Sequence, residues 1–346
     1  MTTFNIQPVN TVLFEDIQQK INLKTKPLGS LGQLERIAAQ IALIQQTLTP
    51  ELQKPHMLVY AADHGITNSG VSAFPQEVTF QMVMNFLSGG AAINVFCKQH
   101  GIEMCIADAG VNHDFPKGTP LLDLKVAKGT ANFLHEAAMS EEQLQEAIEK
   151  GADQVTKAHQ EGCNVVGFGE MGIGNTSAAS MLMALLCKLP VAGCVGRGTG
   201  IDDPQFANKI NILEQAKDFH KLSGEDPWKV LQTFGGLEIA MICGGMLKAA
   251  ELGMVILVDG FISTSAFLVG YKLYPALKDY AVFCHQSDES GHRRMLEHIG
   301  AEPILNLGMR LGEGSGAAVA YPIIQSAISF LNEMASFESA GVSNKE

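Results

Sequence analysis

The chain has 346 residues, 46% of them hydrophobic and 17% charged, a balance that excludes disorder and allows one large α/β domain or two. Its net charge of -12 excludes an extended nucleic-acid surface, because phosphate binding along a strand needs a basic face. A small anion can still bind locally, through backbone dipoles and one or two lysines.

The seven cysteines are odd in number, form no C-x-x-C and lie mostly in apolar runs, so buried reduced thiols in the cytoplasm are expected. The N-terminus lacks a basic segment followed by an apolar one, and no apolar run reaches the roughly 18 residues of a membrane span. Neither a signal peptide nor a membrane span is therefore expected.

Residues 1–50 read as helical. Ser30 with Gln33 fits a capping box, and Leu31, Leu34, Ile37, Ala38, Ile41 and Ile44 follow at helical spacing. The preceding turn, Lys26-Pro27-Leu28-Gly29-Ser30-Leu31-Gly32, is a hinge or a binding loop. From about residue 55 the pattern changes to short apolar strands that end in small or acidic residues. Met57–Ala62 runs into Asp63-His64-Gly65, and Glu103–Ala107 into Asp108-Ala109-Gly110. Val191–Val195 runs into Gly196-Arg197-Gly198-Thr199-Gly200, Met254–Val258 into Asp259-Gly260, and Ala281–Cys284 into His285-Gln286-Ser287-Asp288. Helical runs at 76–99, 140–160, 204–222 and 237–252 separate most of them. Such alternation predicts an α/β fold, a mainly parallel sheet with helices on both faces. Ligands bind at the carboxyl ends of such strands, where this chain carries most of its polar, glycine-rich chemistry.

The densest stretch is Val165–Ser180, V-V-G-F-G-E-M-G-I-G-N-T-S-A-A-S. A buried strand (164–168) leads through glycines to Asn175, Thr176 and Ser177, and an apolar helix follows from Ala178 to Leu189. A Gly-rich turn at a helix N-terminus offers outward N–H groups and partial positive charge to an anion. Glu170 is out of place in a pure phosphate loop, and is expected to face sugar hydroxyls or a cationic centre. The spacing Gly167-x-Gly169-x-x-Gly172 also fits a dinucleotide fingerprint, but no Asp or Glu stands between Met171 and Ile201 to hold a ribose. A turn that merely tightens an α/β crossover is the structural alternative.

Gly70–Gly90 mixes aromatic and methionine residues with Ser72, Gln76 and Gln81. It is an amphipathic helix packed on the core, or one wall for a flat apolar ligand. Near the C-terminus, Glu313 stands between Gly312 and Gly314 and opens an apolar helix from Ala317 to about Phe337, with Pro322 in its first turns. The helix dipole should keep Glu313 ionised, as a general base or as a capping acid. This helix lacks a core of its own and is expected to pack on the N-terminal helices. The predicted organisation is a small helical domain from 1–50 and 313–346, with a frayed tail from Ser339, around a large domain of 51–312. Lys209 is a solvated helix lysine or a phosphate partner. His64 is a structural hydrogen-bonder, a base or a metal ligand. Asp108, His113 and Asp114, or His285, Asp288, Glu289 and His292, could be assembled into a metal site, but neither set has a recognised ligand spacing.

Five segments occur in one order: Lys26–Gly32, Ala62-Asp63-His64-Gly65, Gly70-Val71-Ser72-Ala73-Phe74-Pro75-Gln76, Gly169–Thr176 and Gly312–Gly316. Together they resemble the nicotinate-nucleotide–dimethylbenzimidazole phosphoribosyltransferase family, over about residues 20–335. The resemblance implies a Rossmann-like large domain, a cytoplasmic homodimer and no required metal or other cofactor. It implies transfer of phosphoribose from nicotinate mononucleotide to 5,6-dimethylbenzimidazole, with inversion at C1′. It places the general base at Glu313, the nucleotide-loop glutamate at Glu170 and a phosphate-site lysine at Lys209. Gly172, Ile173, Gly174, Asn175, Thr176 and Ser177 would hold the 5′-phosphate, and Ser72, Gln76, Phe80 and Gln81 would supply the slot for the base. The rival functions are a nicotinamide-dependent oxidoreductase and a non-catalytic nucleotide sensor; an exposed ionised base speaks against the sensor.

Overall fold

Residues 1–198 and 200–343 are described by the computed structural model; Thr199 of the Gly196–Gly200 turn and residues 344–346 of the predicted tail lie outside the described residues. After an extended segment, α1 (Phe14–Asn22) and α2 (Gln33–Ile44) precede β1 (His56–Ala62). Then come α3 (Glu77–Leu87), α4 (Ala92–His100), β2 (Glu103–Gly110), β3 (Leu122–Asp123), α5 (Glu141–Gln160), β4 (Val165–Met171) and α6 (Asn175–Leu186). The second half adds α7 (Asp203–His220), α8 (Pro227–Phe234), α9 (Leu237–Glu251), β5 (Val255–Val258), α10 (Phe261–Leu273), β6 (Ala281–Phe283), α11 (His292–Ile299), α12 (Ser315–Glu333) and α13 (Phe337–Ala340).

The strands form one sheet in the order β3-β2-β1-β4-β5-β6, with every neighbouring pair parallel. All of β1 and β5 is buried, which is why they read as nearly unbroken apolar runs. The chain winds outward in one direction from β1 and in the other from β4. Their boundary is the switch point at whose carboxyl edge doubly wound sheets bind ligands. Register pairs Tyr60 with Glu170 there, so Asp63-His64 emerges beside the Gly-rich turn. Helices α5 and α9 cross so closely that a Cβ on Gly151 would lie 2.0 Å from the Met241 carbonyl oxygen, and one on Gly244 2.1 Å from that of Ile148.

The two chain ends meet. Thr25 N–H donates to the Ala335 carbonyl (3.1 Å), Phe337 N–H to that of Leu23 (3.0 Å), and α12 packs on α2. Helix α12 also packs on α4 and β4, and a hydrophobic cluster runs through all of these elements.

Several local expectations differ from the structure. Residues 1–13 are not helical; Phe4, Asn5 and Val9 N–H donate to Tyr274, Glu251 and Asp279. Ser30 does not cap α2. Gly32, at φ +55°, turns the chain first, and Glu35 accepts from Leu31 N–H (3.0 Å) and pairs with Lys26 (2.8 Å) instead. Val191–Val195 is no strand: after Pro190 the chain makes a 3₁₀ turn that buries Val191, Cys194 and Val195 on one side. Helix α6 starts at Asn175, so Asn175, Thr176 and Ser177 form its first turn. Pro322 lies inside α12, about two turns from its start. The run 77–100 reaches a mean hydropathy of 1.3 and would by composition span a membrane, contrary to the expectation that no such run exists. Gly89, at φ +76°, and Gly90 break it into helices of 11 and 9 residues, too short to cross.

Candidate active site

The carboxyl ends of β4, β5 and β6 and the Gly312–Gly314 loop surround a cavity of about 240 Å³. Glu170, Gly172, Ile173, Asn175 and Thr176 line it, together with Asp259, Gly260, His285 and Gly312. Phe74, Met171, Phe261 and Leu311 supply apolar surface.

Glu170 ends β4 almost fully buried. Its Oε2 accepts from Asn175 Nδ2 on α6, and its carboxylate also accepts from Glu313 N–H. A Cβ on Gly312 would lie 2.2 Å from Glu170 Oε1, so glycine there is needed for this approach. Burial pushes the Glu170 carboxyl up to about 8, with the charges of Glu238 and Asp259 adding to the rise.

Glu313 adopts φ +65° between Gly312 at +82° and Gly314 at +87°. Three successive left-handed residues are a strained passage for a chain with a side chain in the middle. It is held by close packing: a Cβ on Gly169 would lie 2.1 Å from the Glu313 carbonyl oxygen. The Glu313 carboxyl is 5% exposed, with Oε2 unpartnered. Burial raises it to about 7, against the pull of Ile93 N–H at the start of α4. Burial thus works against the ionised state that the dipole of α12 is expected to favour. The N–H groups at that helix end go to Asp259, which accepts from Gly314 (3.2 Å) and Ala317 (2.9 Å). Glu313 makes no capping bond.

Lys209 is not solvated. It is 1% exposed, with Nζ donating to Thr176 Oγ1 (2.9 Å) on the first turn of α6 and to the Gly196 carbonyl (3.2 Å). Burial lowers it to about 8, and Glu289 partly offsets this. Within the turn, Ile173 N–H is taken by Thr79 Oγ1 (3.1 Å), and Ser177 N–H by the Gly174 carbonyl (2.9 Å).

The phosphoribosyltransferase family model matches residues 6–342. The nicotinate-nucleotide–dimethylbenzimidazole phosphoribosyltransferase of Dechloromonas aromatica (strain RCB) is 58% identical over the whole of both chains. The protein of the same name from Bacteroides fragilis (strain ATCC 25285) is 50% identical over 99% of each. The crystal structure of CobT from Thermus thermophilus superposes with a TM-score of 0.92 at 40% identity, covering 96% of this chain and 99% of that one. The chain belongs to the nicotinate-nucleotide–dimethylbenzimidazole phosphoribosyltransferase family.

Of the residues expected from the family's motifs, Glu170, Gly172, Ile173, Asn175 and Thr176 line this cavity. Glu313 and Lys209 are not among its lining residues: Glu313 follows the lining Gly312, and Lys209 bonds the lining Thr176. Gly174 and Ser177 do not line it either; the Ser177 hydroxyl is buried without a partner. Ser72, Gln76, Phe80 and Gln81 are not among its lining residues. Ser72 lies in a loop ahead of α3, not in a helix, and accepts from Phe74 N–H (3.1 Å). Gln76 contacts the His64 carbonyl and Asn112 (3.4 and 3.3 Å), Phe80 stacks on His113 with centroids 3.8 Å apart, and Gln81 is exposed.

Members of both candidate metal sets are otherwise engaged. Asp108 pairs with Lys125 (2.8 Å) and Asp114 with Lys128 (2.6 Å), while His292 bonds Thr264 (2.9 Å) and Ser287 N–H (2.8 Å). No group of three His, Cys, Asp or Glu poised for a metal occurs among the described residues. Asp259 and Phe74 were not singled out as site residues from the sequence, and His285 only as a candidate metal ligand; the signal for Asp259 and His285 was their place directly after a strand.

Proposed function

We propose that this chain transfers phosphoribose from nicotinate mononucleotide to 5,6-dimethylbenzimidazole, giving α-ribazole 5′-phosphate and nicotinate for the lower ligand of cobalamin. The observation that carries the reading is Glu313, a strained, buried carboxyl free of capping duty and raised to about 7, on a loop packed against Glu170 and the end of β4. In this reading the 5′-phosphate docks at the amino end of α6, at Gly172–Ser177, with Lys209 reaching it beside Thr176. The phosphate charge would favour the charged form of that buried lysine.

The nicotinate ring, attached through its nitrogen, is a pyridinium. When its bond to C1′ breaks, the electron pair returns to that nitrogen, so the leaving group needs no proton. A benzimidazole nitrogen attacks C1′ from the opposite face and inverts β to α. The other benzimidazole nitrogen gives its proton to Glu313, whose value of about 7 suits a base working near neutral pH. Glu170 faces the positive charge that grows on the ribose. A carboxyl at about 8 is mostly protonated in the empty site, and the bound pyridinium favours its ionised form. The flat base would lie against Phe74 and Leu311, with Ser72, Gln76, Phe80 and Gln81 on the α3 side fixing its orientation. The reading includes a homodimer in the cytoplasm that needs no metal or other cofactor; seven free cysteines, six of them buried, are in keeping with a reducing compartment.

The test is nicotinate release from nicotinate mononucleotide, with and without dimethylbenzimidazole, for wild type and Glu313→Gln. Base-dependent release by wild type, lost in the variant, is expected. Mononucleotide binding without release would overturn the reading in favour of a nucleotide sensor.

A further inference from the structure

His64 follows β1 and Glu238 lies in the first turn of α9. Both side chains are fully buried, and His64 Nε2 lies 2.6 Å from Glu238 Oε1. The transfer chemistry above uses neither, yet the imidazole touches the Gly-rich turn. A Cβ on Gly172 would lie 3.2 Å from His64 Cδ2 and Nε2, and one on Gly174 3.4 Å from His64 Cβ. On its other side, a Cβ on Gly236 would come within 2.3 Å of the ring. The ring is thus clamped between the turn and the start of α9. The His64 carbonyl is fixed as well, accepting from Thr67 N–H (3.1 Å) and Oγ1 (2.7 Å). The second atoms of the pair, His64 Nδ1 and Glu238 Oε2, have no partner. A buried polar pair with orphaned atoms adds little stability over well-packed apolar residues, so its presence against the turn calls for another reason.

We propose that His64 and Glu238 form a positioning pair for the transfer reaction, Glu238 holding the ring and the ring setting the height of the Gly172–Gly174 turn. The proposal rests on the functional reading above.

The experiment follows nicotinate release by the full-length protein against pH and substrate concentration for wild type, His64→Asn and Glu238→Gln, with melting curves to establish folding. Calorimetric binding of nicotinate mononucleotide runs in parallel. His64→Asn should raise KM and Kd for the mononucleotide about tenfold, the size of one lost buried hydrogen bond, with kcat changed less. Glu238→Gln keeps an acceptor for His64 and should hold KM near wild type. Glu238→Ala, run alongside, removes that acceptor and should raise KM and Kd as His64→Asn does. A purely structural defect would lower the melting temperature without this split between KM and kcat and without rescue by glutamine. Unchanged mononucleotide affinity in His64→Asn, or equal affinities in Glu238→Ala and Glu238→Gln, overturns the proposal. If wild type binds mononucleotide but releases no nicotinate, the functional reading fails, and the binding constants alone decide for or against the positioning role. If His64→Asn does not fold, the comparison of Glu238→Ala with Glu238→Gln decides.

Discussion

Replacing Glu170 by glutamine should stabilise the empty protein at alkaline pH while disabling turnover. The carboxyl moves from 4.5 to about 8 on burial. Between those values the unfolded chain is ionised and the folded one protonated, so the folded state binds more protons and loses stability as pH rises. Above about 8 the loss is complete, at about 1.4 kcal/mol for each pH unit between the two values. That amounts to a few kcal/mol, of which imperfect hydrogen bonding of the amide takes back a part. Glutamine does not ionise and escapes the loss. Melting curves should therefore coincide near pH 5, and at pH 8.5 the variant should melt higher by on the order of 5 °C. Saturating nicotinate mononucleotide should shrink or reverse that gap, because its pyridinium favours the ionised carboxylate. Turnover should fall about 100-fold, as for removal of one preorganised electrostatic group. A melting difference that does not vary with pH, or unchanged turnover, would refute the reasoning.

Glu313→Gly removes both the side chain from a left-handed position and an unpartnered buried oxygen. It should melt higher, by about 1 kcal/mol in stability, and release no nicotinate; equal stability would show that the backbone there is unstrained. Lys209→Met keeps the length of the side chain and removes the charge beside Thr176. Steady-state kinetics should show KM for nicotinate mononucleotide raised about 10- to 100-fold and KM for the base little changed, as for loss of one charge-assisted hydrogen bond.

Fold and site were legible in the sequence to different depths. Strands buried on both faces leave nearly unbroken apolar runs, so β1, β4, β5 and β6 stood out. The same rule misread Val191–Val195, because a short apolar run does not distinguish a strand from a buried turn. Ser30 and Gln33 had the spacing of a capping box, but the positive φ of Gly32 redirected the chain before the cap could form. Glu170 and Glu313 were visible because a carboxylate among glycines is an anomaly in a local window. The pairing of His64 with Glu238, across 174 residues, leaves no such local mark. The surroundings of Glu313 were hidden for a related reason. The dipole of α12 was legible, but Asp259, 55 residues before Gly314, had already taken up its free N–H groups.

These departures point to one design. The chain accepts three left-handed residues in a row at Gly312–Gly314, and needs glycine at 169 and 312, to press the Glu313 loop onto the end of β4 beside Glu170. In the empty protein this arrangement is unfavourable, since burial and neighbouring acids hold both carboxyls well above their ordinary range. Such a cleft suits a ligand that brings positive charge to the carboxyls and negative charge to the helix end facing them. Nicotinate mononucleotide carries both, a pyridinium at C1′ and a phosphate at C5′. Under the proposed reaction, the polar mismatch of the empty site would favour the donor, whose ring is cationic, over released nicotinate, whose ring nitrogen is uncharged.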